Sequence, residues 1–384
     1  MAEKKRVLIF IDWYLPGFRA GGPVRSVAAI VQALKDVAEF SIVTSDRDLG
    51  DAKPYEGITA DTWTSVGEAQ VYYCSPGNQK KETFLRLLRE RQPGVVYFNS
   101  LFSQNFTLLP LRLVRTAAPQ AKIILAPRGM LGEGALKIKR LKKKLFFLLT
   151  KSTRLFRDIT WHASSAQEEK EIRAVFGTKA KVRIAMNLSL AQLHDLRSRK
   201  KQAGEAHFFF LSRISPKKNL DMAIRLLNSI APGKKARLTI YGPVEDEAYF
   251  SLCKQEMEKA PAHVTFRYAG ALSHAQFAAA LADEHFLFFP THHENFGHVI
   301  LESFACACPV ILSDQTPWRH LAKKKLGFDI ALNDTDQFRK ALIAAIDMDQ
   351  QEYTQWSETA YSFAKNYSGD TAVVEANRRL LTED

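Results

Sequence analysis

Short runs of β-branched and aromatic residues recur along this chain, alternating with stretches whose apolar positions repeat at helical spacing. That alternation predicts parallel strands with helices covering both sheet faces. In the first half the predicted strands are VLIFIDW, FSIVTS, QVYYC, GVVYFN, KIILAP, ITWHAS and VRIAM, with the helix VRSVAAIVQALKD after the first. In the second half they are FFFLSR, RLTIYG, VTFRYAG, HFLFFP, PVILSD and FDIAL. Between the two series the polar, basic stretch LAQLHDLRSRKKQAGE breaks the pattern and reads as an interdomain linker. Residues after about 350 read as one or two helices without a strand partner. The expected fold class is therefore α/β, with two doubly wound, Rossmann-like halves and a cleft. Ligands of such sheets bind outside the carboxyl ends of the strands.

A chain of 384 residues exceeds one ordinary core. We expect an N-terminal domain over 1–190, a linker over 191–206 and a C-terminal domain over 207–365. No apolar run approaches the roughly 20 residues of a membrane span. The opening VLIFIDWYL is interrupted by Asp12 and has no small-residue cleavage site, so it reads as a buried first strand, not a signal peptide. The four cysteines show neither zinc-ligand spacing nor a disulfide framework, and Cys306 and Cys308 fall in an apolar helical pattern. They read as buried thiols of a reducing, cytoplasmic setting. The 54 Lys and Arg outnumber the 41 Asp and Glu, for a net charge of +13, which favours an anionic partner.

Two segments carry the chemistry. In HFLFFPTHHENFGHVILESFACACPVILSD a strand ends at Pro290, a polar loop carries Glu294, and Gly297 opens a helix holding Glu302. Backbone amides around Phe296, Gly297 and His298 suit a diphosphate at a helix start, and a carboxylate further along suits ribose hydroxyls. In FFFLSRISPKKNLDMAIRLL the cations Arg213 and Lys218 follow a buried strand, placed to neutralise a departing diphosphate. A solvated basic turn and an ordinary helix with two glutamates are the plain alternatives for either segment alone.

Together the two segments resemble the donor half of glycosyltransferase family 4, the group 1 glycosyl transferases of GT-B fold. SRISPKKN resembles the family's Gly-Arg-Leu-x-Pro-x-Lys-Gly pattern, Glu294 and Glu302 its paired glutamates, and FACACPVILSD its Ala-x-Gly-x-Pro-Val-x-x-Ser-Asp run. RLTIYGP, with Gly242, resembles the glycine-bearing strand end between them, and YLPGFRAGGPVRSV, with Gly21 and Gly22, the N-terminal glycine loop. The resemblance implies two Rossmann-like domains, with a C-terminal helix of about 366–384 returning to the N-terminal one. It further implies that Arg213 and Lys218 contact the diphosphate, Glu302 the ribose and Glu294 the transferred sugar. Arg213, Lys218 and Glu294 are then the catalytic candidates, and no metal or other cofactor is required.

The chain departs from the family at two points. KIILAPRGMLGEGALK offers Arg128 and Gly129 where many members carry a histidine, and AMNLSL stands where relatives often have Asn-Gly-Val-Asp. Arg128 remains a candidate for phosphate or acceptor contact, but a guanidinium cannot shuttle protons. Asp46-Arg47-Asp48 matches a short metal-binding pattern of the other large glycosyltransferase fold, away from the expected donor site. LKIKRLKKKLFFLLTKSTRLFR, residues 136–157, reads as a basic amphipathic helix suited to an anionic membrane and a polyprenyl-linked saccharide acceptor. Nucleic acid is not expected, because no recognition motif accompanies the charge. The expected reaction is retaining transfer from a nucleotide-diphosphate sugar. A nucleotide-sugar epimerase and a non-catalytic sugar-nucleotide-binding protein are the competing readings.

Overall fold

A computed structural model describes residues 4–132, 136, 140–189, 193, 199–272 and 276–383. Residues 137–139 of the basic segment, and 191, 192 and 194–198 of the expected linker, lie outside the described residues. The chain divides into two compact units, one of residues 1–190 with 370–384 and one of 191–369.

The first unit runs β1 (Lys5–Phe10), α1 (Gly22–Leu34), β2 (Ala38–Ser45), β3 (Trp63–Val66), β4 (Ala69–Cys74), α2 (Lys81–Arg91) and β5 (Val95–Asn99). It continues through α3 (Leu109–Ala117), β6 (Lys122–Ala126), α4 (Arg140–Ser152), β7 (Ile159–Ala163), α5 (Ala166–Phe176) and β8 (Val182–Ile184). The sheet order is β3-β4-β2-β1-β5-β6-β7-β8, parallel except where β3 runs antiparallel to β4. Successive residues of β1 serve opposite faces: Val7 and Ile9 join one core cluster, Leu8 and Phe10 the other. A strand buried on both sides must be apolar throughout, which is why these segments lack polar alternation.

The second unit runs β9 (Glu205–Leu211), α6 (Leu220–Asn228), β10 (Lys235–Tyr241), α7 (Glu247–Met257), β11 (Val264–Gly270), α8 (Phe277–Ala280) and β12 (Phe286–Phe289). It ends with α9 (His298–Ala305), β13 (Val310–Ser313), β14 (Gly327–Ile330), α10 (Thr335–Asp347) and α11 (Gln350–Ser368). All its described pairings are parallel, in the order β11-β10-β9-β12-β13-β14. The last helix, α12 (Thr371–Thr382), belongs to the first unit. Val373, Leu380 and Leu381 enter the core on the α1 side, and Asn377 Nδ2 donates to the Met186 carbonyl at 2.8 Å.

Two local readings change. α9 stops at Ala305, so Cys306 and Cys308 lie in the turn after it, where Ala307 takes φ 57°. All four cysteines are free and buried, and burial raises each thiol's pKa. The basic end of the expected linker is built into the second unit. Arg199 donates to the carbonyls of Leu281 and Cys306 at 3.1 and 2.7 Å, and Lys201 Nζ to those of Ile346 and Met348 at 2.8 Å each. Carbonyls at the ends of α9 and α10 have no intrahelical donors, and these cations supply them.

Candidate functional site

In the second unit the strand order reverses between β9 and β12, so the loops leaving their carboxyl ends flank the switch point of the sheet. These loops, 212–219 and 290–297, hold the two cations and the first glutamate. β9 stops at Leu211, a short 3-10 turn spans Pro216–Lys218, and Asn219 turns left-handed at φ 61° to start α6. Hydrogen bonds stitch the loops together. The Lys217 carbonyl accepts from the His292 amide at 3.0 Å, and Asn219 Nδ2 donates to the Pro290 carbonyl at 2.8 Å.

Lys218 is buried at 8% exposure, its Nζ 2.5 Å from Glu294 Oε2 and 5.4 Å from the centre of the Phe289 ring. Burial alone raises the Glu294 carboxyl, but Lys218, then Lys217 and His293, outweigh it and hold it below its ordinary value. Glu294 is therefore an anion. Burial and the neighbouring Lys218 lower the Lys217 ammonium. Arg213 Nη1 pairs with Glu245 Oε1 at 2.6 Å. Each candidate cation is thus paired with a carboxylate. Glu245 was not singled out from the sequence; its signal is a position three residues past Gly242, in the next strand-to-helix loop.

Gly297 takes φ 78°, and a Cβ there would lie 2.6 Å from Ile300 Cδ1 and 3.0 Å from Glu294 Cγ. Glycine is needed both for the turn and for room beside the glutamate. His298 begins α9, and Glu302, buried at 5%, falls in its second turn. Phe296 is buried among Trp318, Tyr367 and His298, and its carbonyl accepts from Trp318 Nε1 at 2.6 Å. Its side chain belongs to the core, leaving only its backbone for a ligand. Gly242 is explained by packing, because at φ 137° a Cβ would fall 1.8 Å from the Ser212 carbonyl oxygen. Its amide donates to the Gly270 carbonyl at 2.8 Å.

In the first unit Gly21 takes a positive φ of 71°, and Gly22 is the first residue of α1. The preceding loop is fixed by Asp48, whose Oδ2 accepts from the amides of Phe18 and Arg19 at 2.9 and 3.1 Å. Asp46 is bound by its own neighbour, Arg47, at 2.8 Å. The aspartates of the short acidic motif therefore organise the glycine loop and its flank. Arg128 is held on three sides: by Asn99 Oδ1 at 2.5 Å, Tyr97 Oη at 2.8 Å and Asn187 Oδ1. Asn99 Nδ2 in turn donates to the Pro23 carbonyl at 3.4 Å, linking Arg128 to the start of α1. Behind it Tyr97 Oη lies 2.7 Å from His162 Nδ1, and burial followed by the Arg128 charge lowers the His162 pKa to about 3. This buried network, which sequence reasoning missed, keeps Arg128 at the carboxyl edge of its sheet.

Residues 194–363, which lie within the second unit, match the family described as Glycosyl transferases group 1. No curated protein matches the chain at a significant level. Among solved structures, sucrose-phosphate synthase from Thermosynechococcus elongatus is similar with a TM-score of 0.73 at 14% identity, covering 98% of each chain. Anabaena HepE in complex with UDP-glucose has a TM-score of 0.69 at 14% identity, over 99% of this chain and 100% of HepE. The lipopolysaccharide outer core galactosyltransferase WaaB reaches 0.64 at 12% identity, over 97% of this chain and 98% of WaaB. The fold is GT-B, as the sequence resemblance implied.

Proposed function

We propose that this chain is a retaining glycosyltransferase that moves a hexosyl or N-acetylhexosaminyl group from a UDP- or GDP-linked donor to a saccharide or lipid-linked saccharide. The observation that carries this reading is the meeting of Lys218 with Glu294 in a domain matching group 1 glycosyl transferases, Arg213 lying on the same strand-to-helix loop as Lys218. In this reading Arg213 and Lys218 receive the diphosphate, with the start of α9 beside them. Glu302 holds the ribose and Glu294 the sugar. Gly21, Gly22 and Arg128 serve the acceptor or phosphate side. The UDP-glucose in the HepE structure favours a uridine donor.

The chemistry is a front-face substitution. The acceptor hydroxyl bonds to the anomeric carbon on the face from which the diphosphate departs, and a phosphate oxygen of the leaving group takes the hydroxyl proton. Positioning and preorganised charge supply the acceleration, without a covalent nucleophile. Neither step needs a metal in this reading, and turnover is expected to persist in excess EDTA. Assembly of a bacterial surface polysaccharide or lipopolysaccharide on the cytoplasmic side fits an acceptor of this kind, and WaaB supports that setting.

The test is product analysis by proton NMR after incubation with donor and acceptor. The expected product keeps the donor's anomeric configuration. An inverted product contradicts the mechanism, and conversion of the donor's sugar without any acceptor would make the protein an epimerase.

A further inference from the structure

Helix α4 is apolar on two opposite faces. Its inner face is filled: the Phe146 and Phe147 rings lie 5.1 and 6.1 Å from Phe102, Phe147 lies 5.9 Å from Phe176, and Thr150 is buried. These contacts fix which side turns outward. On that side Leu141, Leu145, Leu148 and Leu149 are 82%, 57%, 66% and 54% exposed. Steps of four, three and one residues place them on a single stripe. Isolated exposed leucines are ordinary, but four on one helix face are a patch.

The charge around the stripe is of one sign. RLKKKLFFLLTKS contains Arg140, Lys142, Lys143, Lys144 and Lys151 and no acidic residue. Lys143 leans inward, with Nζ 5.0 Å from the centre of the Phe102 ring. At helical spacing Lys142 flanks the leucines on one side, and Arg140, Lys144 and Lys151 flank them on the other.

We infer that this face seats on an anionic lipid bilayer, with the leucines at the acyl boundary and the flanking cations at the level of the lipid phosphates. Charge complementarity selects the occupant. A second copy of the chain would bring one cationic stripe against another. Nucleic acid would satisfy the cations but press four leucines against a hydrated, charged backbone. A bilayer receives both, and long basic side chains reach outward while their stems lie on apolar surface. Among the described residues no helix is long and apolar enough to cross a membrane, so the contact proposed is one of lying on the surface. The inference concerns the first unit alone and does not depend on the donor site.

The experiment is sedimentation of the full chain with vesicles of equal parts phosphatidylglycerol and phosphatidylcholine, and with phosphatidylcholine alone, at low and physiological salt. The wild type is expected to pellet with the anionic vesicles only. Lys142→Ser should weaken that partition about fivefold, the share of one interfacial cation. The double substitution Leu145→Gln with Leu149→Gln should weaken it about tenfold or more and abolish the salt-resistant part. Both leucines are exposed, so an unchanged melting temperature is expected to accompany that loss. A wild type that ignores anionic vesicles overturns the proposal, as does a double variant that binds them equally well. Dimerisation of the wild type that the double substitution abolishes would assign the stripe to a second copy and also overturn it.

Discussion

Replacing Glu294 with glutamine separates the two jobs proposed for this residue. Lys218 Nζ and Glu294 Oε2 are 2.5 Å apart, and the two side chains are only 10% and 19% exposed, so water screens the pair weakly. A hydrogen bond to a charged group in such a setting has a net worth of about 1.5–3 kcal/mol. A diphosphate that recruits Lys218 must compete against that bond. Glu294→Gln would remove the competing charge while nearly preserving volume, and Phe289 would still support the ammonium at 5.4 Å. Nucleoside diphosphate binding should therefore tighten by up to about 10- to 100-fold, since each 1.4 kcal/mol is a factor of ten. Turnover of the intact sugar donor should fall at least about 100-fold, because the sugar loses the group that orients it. Isothermal titration with the nucleoside diphosphate, beside steady-state turnover, reads both quantities on one preparation. If Glu294→Gln weakens diphosphate binding as much as Lys218→Ala does, Lys218 is not the group for which ligand and glutamate compete, and the reasoning fails.

Gly242→Ala should cost several kcal/mol of stability and leave little folded protein on thermal denaturation, because its Cβ would lie 1.8 Å from a backbone oxygen at φ 137°. Acid should weaken both units through buried neutral histidines. Burial and neighbouring charge lower His162 and His285 to about 3 from an ordinary 6.5, so the unfolded chain binds those protons first. Stability should fall below pH 6.5 by about 1.4 kcal/mol per pH unit for each. Denaturant melts from pH 7 to 5 should show a shallower loss in His162→Gln than in the wild type, once the variant's lower starting stability is subtracted. Glu294 acts in the same direction at lower pH. Its lowered carboxyl contributes stability above its ordinary 4.5 and loses it as pH falls through the folded value, so the stability gap between wild type and Glu294→Gln should narrow there.

Much of this architecture is written in local pattern. Strands such as FFFLSR and HFLFFP are apolar on both faces because helices cover both sides of a parallel sheet, and polar residues follow them at the carboxyl edge. β3 escaped notice because WTSV is a short edge strand paired antiparallel to β4, with no buried face to impose a pattern. Arg199 and Lys201 were read as linker because charge in a polar stretch signals solvent. Their partners are carbonyls at helix ends distant in sequence, which no local window contains. The same holds at the site. Arg213 and Lys218 could be singled out from their place after a strand, but the pairing with Glu245 depends on the neighbouring strand-to-helix loop. Arg128 was visible as a departure from the family, whereas its grip by Asn99, Tyr97 and Asn187 exists only once β5, β6 and the end of the unit are brought together.

The most direct measurement is calorimetric binding of UDP and GDP, and of their sugar conjugates, to the wild type and to the double variant Arg213→Ala with Lys218→Ala. The wild type should bind at least one of these ligands, and at 100 times its dissociation constant that ligand should stabilise the fold by about 2.7 kcal/mol. The double variant should lose that binding while keeping its secondary structure. Unchanged affinity in a folded double variant would contradict the assignment of these loops to the diphosphate.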